Sequence, residues 1–195
     1  MWSAAILAGG AARRFGGCDK GALIVDGRSI RERQIMELSR LTSDILIVGA
    51  RPAPVPLARI VSDLDPGNGP LGGLHTALIE STGDATVVVA CDMPYITAPL
   101  LHHLLALTRE AEIAVPRTDS GYHPLCAAYT RACIEPVARR LADGRLKMTD
   151  LFADVRVREV TAEELEPFGD CRRLLSNVNT PDEYRELEAL QGHQP

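Results

Sequence analysis

The 195-residue chain lacks a CxxC pair, and its five cysteines (Cys18, Cys91, Cys126, Cys133 and Cys171) are an odd number. That pattern suggests neither a zinc site nor a disulfide framework and makes a reducing, cytoplasmic setting the simpler expectation. No stretch approaches the roughly 20 apolar residues that a membrane span needs, and no basic segment precedes the opening apolar run, so neither anchor nor export signal is expected. An excess of positive charge is also missing. The formal net charge of -5 argues against nonspecific nucleic-acid binding, which depends on Lys and Arg to neutralise phosphates. Any anionic ligand must instead meet a local cluster of cations. Apolar residues make up 46% of the chain and charged residues 24%, which excludes disorder and coiled coil. There is no internal repeat and no long linker, and the length suits one domain with a full core.

What is present is an alternation of short apolar runs and amphipathic segments. Ser3 to Ala8, Asp44 to Val48, Ile60 with Val61, and Ala85 to Ala90 read as strands. Further strands are expected at Ile113 to Val115, Leu125 to Tyr129 and Val155 to Val160. From Ser29, an N-cap candidate, Ile30, Ile35, Leu38 and Leu41 recur at near-helical spacing. Helices are also expected around Leu74 to Glu80, Thr97 to Thr108, Arg131 to Leu141, Met148 to Ala153 and Pro181 to Leu190. This order predicts an α/β fold: a three-layer, Rossmann-like sandwich with a mostly parallel central sheet and helices on both faces. In such sheets ligands bind beyond the carboxyl ends of the strands, where the loops after Ala8 and Ala90 would lie.

The first of these loops combines Gly9, Gly10, Gly16 and Gly17 with Arg13, Arg14 and Lys20. Glycine lets backbone N–H groups approach phosphate oxygens, and the cations add charge-assisted hydrogen bonds. The loop does not match GxGxxG, and Lys20 is followed by Gly21 where a Walker loop needs Ser or Thr. Composition alone also fits an ordinary glycine-rich turn with solvated arginines. Asp92, after the most apolar strand, could cap the turn into Pro94 or hold Mg²⁺, which commonly takes one carboxylate with phosphate oxygens and waters. Asp63 could be a solvent-facing loop carboxylate. Thr180, Pro181 and Glu183 have capping-box spacing, which leaves the flanking Asn177 and Asn179 unexplained.

Taken together, Leu7-Ala8-Gly9-Gly10, Arg14-Phe15-Gly16 and Asp19-Lys20 resemble the opening motif of the nucleotidyltransferase superfamily, most closely that of the molybdenum cofactor guanylyltransferases. The likeness continues through Gly69-Pro70-Leu71-Gly72-Gly73, Cys91-Asp92-Met93-Pro94, His123-Pro124-Leu125 and Asn177-Val178-Asn179-Thr180-Pro181, spanning almost the whole chain.

The resemblance implies a single domain over residues 1–195, with nucleotide binding in the first half, about residues 1–100, and acceptor binding in about residues 101–195. It implies GTP contacts from Leu7, Ala8, Gly9, Gly10, Arg14, Lys20, Asp63 and Asp92, with Arg14, Lys20 and Asp92 catalytic and Asp92 the Mg²⁺ ligand. Asn177 and Asn179 would lie on the molybdopterin side. The implied reaction moves GMP from GTP to the terminal phosphate of molybdenum-molybdopterin and releases pyrophosphate. Transient contact with cofactor-delivery or molybdoenzyme partners would follow. Some relatives carry asparagine at the second long strand's end, where this chain has Val48-Gly49, which loosens the inference of strict guanine specificity. Alternatives are CTP with molybdopterin, another nucleotide with a sugar phosphate, or a non-catalytic carrier.

Overall fold

Alternation of side chains builds the centre of the molecule. In strand β1 (Trp2–Leu7), Ala4 and Ile6 face one buried layer while Ala5 and Leu7 face the other. Strand β4 (Ile45–Val48) divides in the same way, Ile45 and Ile47 against Leu46 and Val48. So does β6 (Ala85–Ala90), with Val87 and Val89 against Val88. Side chains repeat every second residue along a strand, so an unbroken apolar run is buried on both faces and must carry helices on both. The computed structural model describes residues 1–8, 20–49 and 55–178. Gly9, Gly10, Arg14, Asn179 and the helix expected at residues 181–190 lie outside them.

The chain continues through strands β2 (Ile24–Val25) and β3 (Arg28–Ser29), helix α1 (Ile30–Leu38), β4, β5 (Arg59–Val61), α2 (Gly69–Glu80), β6, α3 (Ala98–Leu107), β7 (Ile113–Thr118) and β8 (Gly121–Tyr122). Then come β9 (Cys126–Thr130), α4 (Ile134–Ala142), β10 (Val157–Val160), α5 (Ala162–Leu165) and α6 (Cys171–Leu174). The main sheet runs β10-β7-β9-β6-β1-β4-β5, with β8 paired to β7. Strands β6, β1, β4 and β5 are mutually parallel, and β10 is parallel to β7. Only β9, among those seven, runs the other way, between β6 and β7. Helices α1 and α3 pack on one face, α2 and α4 on the other. This is the expected mostly parallel α/β sandwich. Among the described residues no helix is long and apolar enough to cross a membrane.

Three expectations need correction. Helix α2 begins at Gly69, five residues before Leu74, because Pro70 suits a first helical turn and Gly72 lies where a Cβ would meet the Asp65 carbonyl oxygen at 2.7 Å. Met148–Ala153 is a 3-10 helix, and Arg131–Cys133 forms a 3-10 turn leading into α4. The hairpin β2–β3 was unforeseen: Asp26 and Gly27 both take positive φ (49° and 78°), as a tight two-residue turn requires.

Candidate active site

Parallel pairing brings the carboxyl ends of β6, β1, β4 and β5 to one edge of the sheet. Leu7 is in register with Ala90 on one side and Val48 on the other. The ladder runs one step further: Cys91 N donates to Leu7 O at 3.2 Å, Ala8 N to Val48 O at 2.9 Å and Gly49 N to Val61 O at 3.0 Å. The segments carrying Leu7, Ala8, Asp63 and Asp92 therefore leave the sheet on the same side.

Asp92 is the best-defined member of the site. Lys20 Nζ donates to its Oδ2 at 3.0 Å, and both side chains are mostly buried, 14% and 13% exposed. Its other oxygen, Oδ1, is buried with no hydrogen-bond partner among the described residues. A buried carboxylate oxygen left this way is costly unless a ligand or cation meets it. No group of three or more His, Cys, Asp or Glu gathers as a metal set among the described residues. One carboxylate is nevertheless the protein share that Mg²⁺ commonly needs, its remaining positions falling to phosphate and water. The residues present fit such an ion.

The turn that carries Asp92 is held by two segments of the chain. Val178 N donates to Asp92 O at 2.8 Å, which places Asn177, exposed and one residue earlier, beside the same turn. From α1, Gln34 Nε2 donates to Ala90 O at 2.7 Å and Met93 O at 3.0 Å, and Arg33 Nε to Pro94 O at 3.2 Å. Neither Gln34 nor Arg33 was singled out in the sequence. The available signal was the apolar stripe of α1, in which a glutamine stands where a core residue is due.

Asp63 is placed apart from this cluster. Its Oδ1 accepts from Thr76 Oγ1 and from Asp65 N, both at 3.1 Å, and Thr76 Oγ1 in turn accepts from Leu64 N at 2.9 Å. It thus braces the turn from β5 into α2, where His75 Nδ1 also lies 2.6 Å from Asp65 Oδ2. Strands β5 and β6 are separated by β1 and β4, so their ends stand about 14 Å apart at roughly 4.8 Å per strand. A nucleotide lying across the strand ends could span that distance, base at one end and phosphates at the other. Between them Val48 is buried in the core and offers only its backbone.

The remaining candidates are quiet. His123 Nε2 lies 2.9 Å from Thr118 Oγ1, and burial lowers its pKa. Burial pushes the Cys126 and Cys133 thiols up to about 12, so neither is a nucleophile, and the four described cysteines form no disulfide.

Comparison with known proteins bears on this geometry. The MobA-like NTP transferase domain matches residues 4–157. A probable molybdenum cofactor guanylyltransferase of Pelotomaculum thermopropionicum is 35% identical over 91% of this chain and 87% of its own length. A molybdenum cofactor guanylyltransferase of Desulfosudis oleivorans is 30% identical over 94% and 93%. Among solved structures, molybdopterin-guanine dinucleotide biosynthesis protein A of Archaeoglobus fulgidus superposes with a TM-score of 0.80 at 25% identity, covering 100% of both chains. The domain match, the two relatives and the shared fold agree: this chain is a nucleotidyltransferase belonging to the MobA-like family of molybdenum cofactor guanylyltransferases.

Proposed function

We propose that the protein transfers GMP from GTP to the terminal phosphate of molybdenum-molybdopterin, giving the guanine dinucleotide cofactor and pyrophosphate, in the cytoplasm. The observation that carries the reading is Asp92: a carboxylate at the end of a central parallel strand, one oxygen held by Lys20 and the other buried without a partner among the described residues. The first half of the chain, about residues 1–100, binds the nucleotide; about residues 101–195 bind the acceptor, with Asn177 and Asn179 on that side.

In this reading the base lies towards Asp63 and the end of β1 at Leu7 and Ala8, while Gly9, Gly10, Arg14 and Lys20 surround the phosphates. Asp92 holds Mg²⁺, which when bound supplies positive charge to the nucleotide phosphates. An acceptor phosphate oxygen attacks the α-phosphorus, the bond to the β-phosphate oxygen breaks, and pyrophosphate leaves. The attacking oxygen is already anionic, so no side chain has to remove a proton. What the residues supply is position and charge neutralisation. Lys20, beside Asp92 at 3.0 Å, would add its positive charge to that of the cation in facing the phosphate oxygens.

The test is pyrophosphate release with Mg²⁺, molybdenum-loaded molybdopterin and each of the four nucleoside triphosphates in turn, with Asp92→Ala run in parallel. Release with GTP alone, reduced at least about 100-fold in the variant, is expected. Full metal-dependent activity in Asp92→Ala would sink the assignment. Release with CTP would transfer the reading to a cytidylyl donor, which the bare backbone at Val48 keeps in play.

A further inference from the structure

Helix α1 turns four described side chains fully or almost fully inward: Ile30, Gln34, Ile35 and Leu38. Three are the aliphatic residues a core-facing stripe calls for; the other is an amide with 0% exposure. Its orientation is fixed by its partners, since both atoms facing Nε2 are carbonyl oxygens and can only accept. That orientation leaves Gln34 Oε1 buried with no hydrogen-bond partner among the described residues. An orphaned buried acceptor is unfavourable, and a methionine would fill the same space without one.

The two carbonyls that Gln34 holds belong to Ala90 and Met93, on either side of Cys91 and Asp92. Met93 N also donates to Ala90 O at 3.3 Å, closing the turn that one amide group grips at both ends. Fixing both carbonyls fixes the peptide planes that flank Asp92 at Ala90–Cys91 and Met93–Pro94, and so restricts the direction in which its carboxylate can leave the strand. Val178 N secures Asp92 O between them, and the Val178 side chain packs in one cluster with Ile30 of α1. The turn is thus held through α1 and through the segment before Asn179, and Gln34 is the part of that hold that lies wholly inside the core.

We infer that Gln34 is a positioning residue for the metal site, setting the Asp92 carboxylate, with its unpartnered Oδ1, where it would hold a divalent cation. The inference rests on the proposed role of Asp92. Gln34 touches neither substrate nor cation; it acts through the backbone of the turn. Supports of this kind around a metal ligand typically change metal affinity 10–100-fold when removed.

The experiment is a Mn²⁺ titration by electron paramagnetic resonance in the presence of GTP, on the full chain, for wild type, Asp92→Ala, Gln34→Met and Ile35→Val. Gln34→Met keeps the volume and removes both donors. Its Mn²⁺ affinity is expected to fall about tenfold, and a loss smaller than about threefold overturns the inference. GTP binding measured without metal is expected to stay at the wild-type level. Ile35→Val, at the next buried position of α1, is expected to lower thermal stability and leave Mn²⁺ affinity unchanged, so that general weakening of α1 does not imitate the effect. If Gln34→Met does not accumulate as folded protein, Gln34→Leu, equally without a donor, takes its place with the same criterion. A wild-type Mn²⁺ site that survives Asp92→Ala removes the reading of Asp92 and the inference with it. A site lost in Asp92→Ala but kept in Gln34→Met removes the inference alone.

Discussion

Gly72 lies inside α2, where helix propensity alone favours alanine by about 1 kcal/mol. Packing opposes it: a Cβ there would stand 2.7 Å from the Asp65 carbonyl oxygen and 3.2 Å from Asn68 Cβ. Because the closest atom is backbone, relief requires the turn that also contains Asp63 to move, and overpacking of this kind costs about 1–3 kcal/mol. Gly72→Ala is therefore expected to destabilise the protein by up to about 2 kcal/mol in denaturant unfolding, the net of these effects; a stabilised variant would show that the turn yields freely. At this scale the sequence is legible where chemistry is rare in its surroundings. Asp92 stands out as a carboxylate ending a run of valines, and Lys20 as one of only two lysines in the chain. Gln34 is legible only as an amide at a core position of the α1 stripe; what it grips is seen only once the strand end is in place. Asp63 is only half legible: the aspartate is evident, but its bonds to Thr76 and Asp65 depend on how α2 docks.

Helix α1 starts where its sequence says it should. Ser29 Oγ accepts from Glu32 N at 3.2 Å while Ser29 N donates to Glu32 Oε2 at 2.9 Å, a reciprocal box; the donations of Ser29 N and Ser29 Oγ to Oε2 also lower the Glu32 pKa. Ser29→Ala is expected to cost about 1 kcal/mol and to lower the melting temperature by about 2–4 °C in calorimetry, the scale for a domain of this length. Elements written as continuous apolar runs, such as β6, are legible almost to the residue, since burial on both faces leaves the run no other use. The direction of β9 is not: Cys126–Thr130 is as apolar as its parallel neighbours, and only the short β7–β8–β9 connection, too brief for a crossover helix, turns it antiparallel. The Asp26-Gly27 hairpin was written in the sequence as a strong turn signal but is flanked by strands of two residues each, too short for periodicity to register.

The molecule as a whole divides its labour between the two ends of its sheet. At the end remote from Asp92, Asp44 joins four pieces of chain: its Oδ2 accepts from Ser3 Oγ at 2.6 Å and from Thr82 N and Oγ1 at 2.8 Å, and Arg59 Nε lies 3.4 Å from its Oδ1. Burial works against the charged carboxylate, but the Ser3 and Thr82 hydrogen bonds and Arg59 together outweigh it, and the Asp44 pKa falls below its ordinary value. A depressed folded pKa means that the unfolded chain binds the proton first. The stabilisation is thus complete above the ordinary aspartate range and is lost as pH falls through the lower folded value. Asp44→Asn is expected to cost about 1–3 kcal/mol at pH 7, with the gap to wild type narrowing as unfolding is measured towards pH 3. A gap independent of pH would show that Asp44 contributes shape and not charge. Layer order and strand ends follow from alternation and are visible in the sequence; this network is not, because it joins residues up to 80 positions apart, as Gly83 N does with Ser3 Oγ.

The placement of β1 also bears on how the chain is made. It leaves the ribosome before either of the strands it pairs with, yet it lies in the interior of the sheet, with Ala4 to Leu7 paired to β4 and Trp2 to Leu7 paired to Ala85 to Ala90. While the chain is being synthesised, β4 can cover one side of β1 early, but the other side stays a bare apolar edge until β6 has emerged. Exposed edges of this kind are where nascent chains pair wrongly. The interval before β6 emerges is therefore the one in which β1 is open to wrong pairing, and a pause in synthesis before β6 would prolong it where one well after β9 would not.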